Sequence, residues 1–237
     1  MSVRLPETDL ANWSFLSARE KRANAARFLA AKNLSGLSYE PFRAALPSCI
    51  DSSLSLFPDE TLPAAPWGAI DRLLAKSCAR SPDLLKMNRQ VANSTKEYAE
   101  KSGLVAAPYP FTRITLGAPF RYDFGLPTLF RDAAGQTSAA FLDLRRSGLT
   151  SRGRLFVVSA MHQRFRVTHP DFEHIGLEIW DYKGGSERPL VALKDELVYF
   201  TYDQLVLDVQ ETYAILAEEV SSRRYDRRDT AGRGSLL

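Results

Sequence analysis

The stretch AAFLDLRRSGLTSRGRLFVVSAMHQRF, residues 139–165, has an apolar run on either side of a basic turn that contains two glycines. The runs at 139–145 and 154–163 are short and apolar, each with an aromatic residue and the second with two β-branched valines, which predicts two strands. Because the connection is short, the strands are expected to pair antiparallel. That pairing puts Asp143 opposite Phe156 and His162 about 20 Å further along the ladder. Asp143 and His162 are therefore not predicted to form a catalytic pair.

Short segments of the same kind fill most of the chain from about residue 108 to residue 202. The sequence YKGGSER at 182–188 predicts a hairpin turn, and LVYFTY at 197–202 is the last predicted strand. The capping box TYDQ at 201–204 then opens a final helix. Apolar residues recur at helical spacing along it, at Leu205, Val209, Tyr213 and Leu216.

The chain before residue 104 is predicted to be helical. A capping box, SARE at 17–20, opens one helix, and Pro66 opens another. The clearest helix covers 82–102, with Ser81 as its N-cap and Gly103 at its end. Together with the helix at 66–80 it forms a helical hairpin that could dock on a protein partner. The expected domains are a helical region at 1–104, an antiparallel sheet with a C-terminal helix at 105–222, and a basic flexible tail at 223–237.

The fold class that follows is α+β, with a helical N-terminal half, an antiparallel sheet of about five or six strands and a C-terminal helix packed on it. The 237 residues are 45% hydrophobic and 25% charged, which is ordinary for a globular protein. Cys49 and Cys78 are the two cysteines, and they form no Cys-x-x-Cys pair. This usage fits a reducing compartment, and no apolar segment reaches the length of a membrane span. We therefore expect a cytoplasmic protein without membrane contact.

Arginine is concentrated in two places, and arginine is the residue that most often contacts phosphate. One group follows the predicted hairpin and the other lies in the tail, although the net charge is only +3. The sequence therefore favours a non-catalytic protein that binds nucleic acid, or that works inside a nucleic-acid-handling complex. The residues assigned to this contact are Arg145, Arg146, Arg152, Arg154, Arg164, Arg166, Arg223, Arg224, Arg227 and Arg228. The alternative for the hairpin group is that arginine stems cover the rim of a sheet.

A second interpretation is a metal-dependent nuclease. The turn RDAAGQ would bring Asp123 near Arg145 and diagonal to Asp143, and two carboxylates can hold a hard divalent cation that activates water. Asp123 followed by Asp-x-Arg at 143–145 resembles the core of PD-(D/E)XK nucleases. It departs from that pattern because arginine replaces lysine, Pro127 interrupts the first strand and no helix follows the third. The competing explanation is a structural ion-pair cluster of Asp143, Arg145 and Asp123.

Other chemistries have weaker support. His162, His169 and His174 are clustered, but their spacings of seven and five match no usual metal-ligand pair. The chain has neither a phosphate-binding loop of the Walker type nor a Gly-x-Ser-x-Gly elbow. No metal site and no cofactor is expected, with Mg²⁺ required only under the nuclease interpretation. The third interpretation is a protein–protein adaptor that uses the N-terminal helical hairpin.

Overall fold

The computed structural model describes residues 3–31, 38–53, 61–79, 81–194 and 199–233, with side chains for all of these except residue 31 and residues 224–233. Seven α-helices are present in these ranges. They are α1 (Glu7–Trp13), α2 (Ala18–Ala31), α3 (Glu40–Ala45), α4 (Trp67–Ser77), α5 (Pro82–Ser102), α6 (Ser151–Met161) and α7 (Tyr202–Arg233). A π-helix, His162–Val167, continues α6 without a break.

Six strands of the described chain form one sheet, and two short strands form a separate ribbon. The sheet contains β1 (Asp51–Ser52), β2 (Val105–Pro108), β5 (Thr128–Arg131), β6 (Thr137–Asp143), β7 (Gly176–Tyr182) and β8 (Leu190–Lys194), in that order. The ribbon pairs β3 (Ile114–Thr115) with β4 (Arg121–Tyr122). The β1–β2 and β6–β7 pairs are parallel and the other three pairs of the sheet are antiparallel. The predicted α+β class is confirmed, with a sheet that is mixed rather than purely antiparallel.

The predicted strand at 154–163 is wrong, because this segment forms α6 and the start of the π-helix. Thr150 caps the helix, with its Oγ1 accepting from the Gly153 N–H at 3.0 Å. The run from Phe156 to Met161 is buried on every side, and a helix surrounded by core shows the same unbroken apolar run as a central strand. The helix is the crossover that joins two parallel neighbours, β6 and β7. Asp143 consequently lies opposite Asp181 in the sheet and not opposite Phe156.

The last predicted strand, at 197–202, is also wrong where it can be checked. Residues 197 and 198 lie outside the described residues, 199–201 form no strand, and Tyr202 begins α7. The GG turn at 182–188 is confirmed, since Tyr182 pairs with Leu190 across it.

The predicted helix boundaries are confirmed where side chains cap them. Ser17 and Glu20 bond reciprocally at the start of α2, and Thr201 and Gln204 do so at the start of α7. The Ser81 Oγ accepts from the Leu84 N–H at 3.2 Å at the start of α5. These signals lie within four residues, so the sequence displays them directly.

The sheet separates two hydrophobic cores. Residues of α1, α2, α6 and α7 pack on one face, and residues of α3, α4 and α5 pack on the other. Leu205, Val209 and Leu216 are buried in the first core, which confirms that the C-terminal helix docks by its predicted apolar face. Cys49 and Cys78 are both buried.

Helices α2 and α7 pack along each other and enclose a charged pair. The Lys21 side chain is 0% exposed, and its Nζ lies 2.7 Å from Asp208 Oδ1 and 2.5 Å from Glu211 Oε2. Asp208 also accepts from the Phe15 N–H at 2.8 Å. The two ends of the sequence are therefore joined by a buried polar contact inside the first core.

The predicted domain boundaries at 104 and 222 stay a prediction. Within the described ranges, no helix combines the length and the apolar character needed to cross a membrane.

Candidate functional site

The arginines predicted to contact nucleic acid are largely occupied by contacts within the protein. Arg145 forms a two-pronged ion pair with Asp9, and Arg152 donates to the Phe15 carbonyl oxygen at 2.7 Å. Arg154 lies 3.2 Å from Asp181 Oδ2, at the end of β7. The predicted β-hairpin at 139–163 does not form, because α6 replaces its second strand and distributes these arginine side chains around a helix.

Arg164 is the most buried of the group, with 1% of its side chain exposed. It lies in the π-helix and donates to backbone carbonyls from two separate loops. Its Nε bonds to Thr112 O at 2.8 Å, and its Nη1 bonds to Gly125 O at 2.8 Å and to Asp123 O. Burial lowers the pKa of Arg164 to about 10, so it stays protonated at neutral pH. Arg164 therefore fixes loops 111–113 and 123–125.

Of the remaining arginines in this set, two bond to other parts of the protein, one is exposed, and three have side chains that lie outside the described residues. Arg166 donates to the Ile175 carbonyl oxygen and to the Tyr199 hydroxyl, while Arg146 is exposed. Arg223 Nη2 donates to the Ala26 carbonyl oxygen at 2.5 Å, on α2. The side chains of Arg224, Arg227 and Arg228 lie outside the described residues.

The predicted cluster of Asp123, Asp143 and Arg145 is not formed. Asp123 pairs with Arg113 at 3.2 Å and lies 3.8 Å from Arg164. Arg145 pairs with Asp9 on α1, and Asp143 accepts a backbone N–H bond instead. The prediction assumed a continuous hairpin ladder through these residues, and that ladder is replaced by the β6–α6–β7 crossover. Among the described residues, no group of three or more His, Cys, Asp or Glu is placed to hold a metal ion.

Asp143 lies at the end of β6 beside Asp181, the last but one residue of β7. Its side chain is fully buried, and Oδ2 accepts from the Leu149 N–H at 2.6 Å, while Oδ1 has no hydrogen-bond partner. Burial raises the pKa of Asp143, and the neighbouring Asp181 charge adds to this effect. This carboxyl pair could not be predicted from the sequence, because the two residues are 38 positions apart and meet only through the parallel pairing of β6 with β7.

We expect an Asp143→Asn variant to gain stability relative to the parent as pH rises. An acid whose pKa is raised in the folded state costs stability above the pKa that it has in the unfolded chain, near 3.9 for aspartate. Asparagine keeps an oxygen for the Leu149 N–H and removes the charge. Urea unfolding between pH 4 and pH 8 measures the difference. The exposed Asp171→Asn is the control, and a difference for Asp143→Asn that does not change with pH would contradict the prediction.

The three histidines have different neighbours. His162 stacks on Tyr199, with ring centroids 4.2 Å apart, and His169 contacts the rings of Tyr109, Phe111 and Phe172. His174 is exposed beside Glu173. The expectation that the protein uses no cofactor stays a prediction.

The described residues include several large apolar side chains that are exposed, and three of them lie on or near helices that could face a protein partner. Leu62 is 61% exposed and pairs by its backbone with Ser52 of β1, just before α4. Leu73 is 49% exposed on the outer side of α4, next to the exposed Arg72. Leu207, which is 66% exposed, lies on α7, a helix that packs on the other face of the sheet. We call Leu62, Leu73 and the outer sides of α4 and α5 the hairpin surface.

Comparison with known proteins gives two matches. The family model described as "Sliding clamp-binding bacterial toxin SocB" matches residues 8–227. The chain is also 26% identical over 236 residues to the "DNA replication inhibitor toxin SocB" of Caulobacter vibrioides (strain NA1000 / CB15N), covering 98% of this chain and 96% of the relative. No solved structure matches the chain.

These matches overturn the main functional prediction. The family is described by its binding to a sliding clamp, which is a protein, so the predictions of a nucleic-acid-binding protein and of a nuclease are wrong. The internal contacts of Arg145, Arg154 and Arg164 give the physical reason, since arginines that bind carboxylates and carbonyls of their own chain are not available for phosphate. The interpretation as a protein–protein adaptor agrees better with the family description.

Proposed function

Since the chain belongs to the family of sliding clamp-binding bacterial toxins SocB, we propose that it binds a bacterial sliding clamp and thereby inhibits DNA replication. The observation that carries this proposal is the extent of the match, which runs from the first turn of α1 to the last part of α7. The relative whose name states the inhibition of replication is similar over nearly its whole length.

We further propose that the hairpin surface contacts the clamp. Helices α4 and α5 pack on the sheet through Ile70, Leu74 and Val91, so that, among the described residues, the side of α4 that carries Arg72, Leu73 and Lys76 is exposed. Leu73 supplies an apolar contact there, with Arg72 and Lys76 exposed beside it. An apolar residue within a rim of charged ones is the usual composition of a protein interface.

The rigidity of this surface supports the same assignment. The Arg89 guanidinium bonds to both carboxylate oxygens of Asp71, at 2.5 and 2.8 Å, which ties α5 to α4. Ser81 caps α5, and Asn88 bonds to the backbone of residues 38 and 42. A preorganised surface loses little conformational entropy when it binds.

The test is binding of the full chain to an immobilised bacterial sliding clamp, followed by clamp-dependent primer extension by a replicative polymerase. We expect saturable binding and loss of extension as the chain is added. Absence of binding would overturn the proposed function.

Charge substitution on the hairpin surface tests the location separately. Leu62→Asp and Leu73→Asp are each expected to weaken clamp binding at least tenfold, because a buried carboxylate without a partner opposes association. Leu207→Asp is the matched control, since it places the same charge at an equally exposed leucine of α7. If all three variants bind equally well, the clamp contacts another surface.

A further inference from the structure

Strand β8 ends the six-stranded sheet, and it has an open edge within the part of the chain that the structure describes. The Lys183 N–H donates to the Pro189 carbonyl oxygen at 3.0 Å, so these two opposite residues are a hydrogen-bonded pair of the β7–β8 ladder. Because hydrogen-bonded pairs alternate in an antiparallel ladder, Val191 and Leu193 bond to β7. The backbone N–H and C=O groups of Leu190, Ala192 and Lys194 consequently point away from the sheet. They are a template for one more strand.

An apolar groove lies along this edge on the side of α6. It has a volume of about 760 Å³ and runs between the first turns of α6, the sheet and Phe200. Its apolar lining consists of Leu155, Val158, Ile179, Leu193 and Phe200. In an added strand, every second side chain would point to this face, where the groove could receive it.

The charges around the groove select the chemistry of an occupant. Arg152 and Arg154 line it, whereas the Lys194 side chain points with Leu190 and Ala192 to the other face of the sheet, where Glu178 is its neighbour on β7. Arg154 is neutralised by Asp181, whereas Arg152 is exposed and donates to a backbone carbonyl oxygen, that of Phe15. The groove therefore keeps positive charge beside apolar surface, and this combination favours a segment that carries both apolar and acidic side chains.

We propose that β8 and this groove bind an extended segment of a partner protein by strand addition, with alternate apolar residues in the groove and an acidic residue beside Arg152. Backbone hydrogen bonds supply affinity in this mode, and the side-chain pockets supply specificity. The site is separate from the hairpin surface, because Leu62 pairs with β1 at the opposite edge of the sheet. Five strand spacings put about 24 Å between the two edges.

The test is selection of a displayed library of random ten-residue peptides on the full chain, with affinities of the enriched peptides then measured by fluorescence anisotropy. We expect peptides with apolar residues at every second position and at least one Asp or Glu. Failure to enrich any peptide, or enrichment of basic peptides, would overturn the proposal. No clamp is present, so this result is independent of the test of clamp binding.

Substitutions at this site distinguish binding by strand addition from nonspecific binding of the peptides. Ala192→Pro removes an outward N–H without removing a bond to β7, and should weaken the enriched peptides at least tenfold, while Ala192→Ser should not. Arg152→Glu should weaken them similarly and restore binding to peptides in which Lys replaces the acid. Leu207→Asp is expected to bind like the parent. Thermal melting of each variant checks that it is folded.

Two outcomes would contradict the proposal directly. Equal binding by Ala192→Pro and Ala192→Ser would mean that the peptides do not add to the strand. A dimer of the full chain that Ala192→Pro converts to a monomer would assign the edge to a second copy of the chain rather than to a peptide of a partner.

Discussion

A Lys21→Met variant should be less stable than the parent by about 3–5 kcal/mol, because it leaves the Asp208 carboxylate buried without its counter-charge. Methionine fills the space of the lysine stem, so packing between α2 and α7 changes little. Asp208 would keep its bond from the Phe15 N–H, and Glu211 is half-exposed and can be solvated. The loss of stability therefore reports mainly the unpaired charge on Asp208.

Urea unfolding followed by circular dichroism measures this loss. The matched control is Arg22→Met, which breaks an exposed ion pair between the same two helices, Arg22 with Glu218 at 3.1 Å. Exposed pairs contribute at most about 1 kcal/mol, so the control should stay close to the parent. A Lys21→Met loss no larger than the Arg22→Met loss would show that Asp208 is not held as a buried charge.

Removal of the Arg164 guanidinium should have an effect of similar size. Arg164→Met leaves the part-buried carbonyl oxygens of Thr112, Asp123 and Gly125 without their donor, and a polar group that loses its partner on burial costs about 1–3 kcal/mol. The expected loss is at least about 3 kcal/mol. Arg164→Lys should not restore it, because one ammonium group cannot reproduce the planar fork that spans both loops.

Thermal and urea unfolding check this prediction, with Arg113→Met as the control. Arg113 also pairs with Asp123, at 3.2 Å, but its side chain is exposed. We expect less than about 1 kcal/mol for the control. If Arg164→Lys were as stable as the parent, charge alone, and not the fork geometry, would hold the two loops.

The part of the fold that could be predicted is the part encoded over a few residues. The caps at Ser17, Ser81 and Thr201 and the left-handed Gly103 bound helices that were placed correctly. The segment at 151–161 was not, because an unbroken apolar run fits a central strand and a surrounded helix equally well. Only the parallel pairing of β6 with β7, which spans more than thirty residues, decides between them.

The same limit applies to the candidate site. The sequence identifies the arginines but does not show that Arg164 meets carbonyls near residues 112 and 124, or that Arg145 meets Asp9. The helical hairpin of α4 and α5 could be predicted as a candidate docking surface, because the caps and the apolar spacing that indicate each helix lie within a few residues of one another. The sliding clamp as partner was not predicted from the sequence, and it was reached through the family match.

The contact between α2 and α7 has a consequence for the timing of synthesis. Asp208 follows Lys21 in the chain by 187 residues. At about 5–20 residues per second, a ribosome needs roughly 10–40 s to synthesise the chain between them. Throughout that interval the first core lacks the helix that closes it. Completion of this core must follow release of α7 from the ribosomal exit tunnel. A nascent chain that stalls before α7 emerges should be recognised by chaperones or proteases as unfinished.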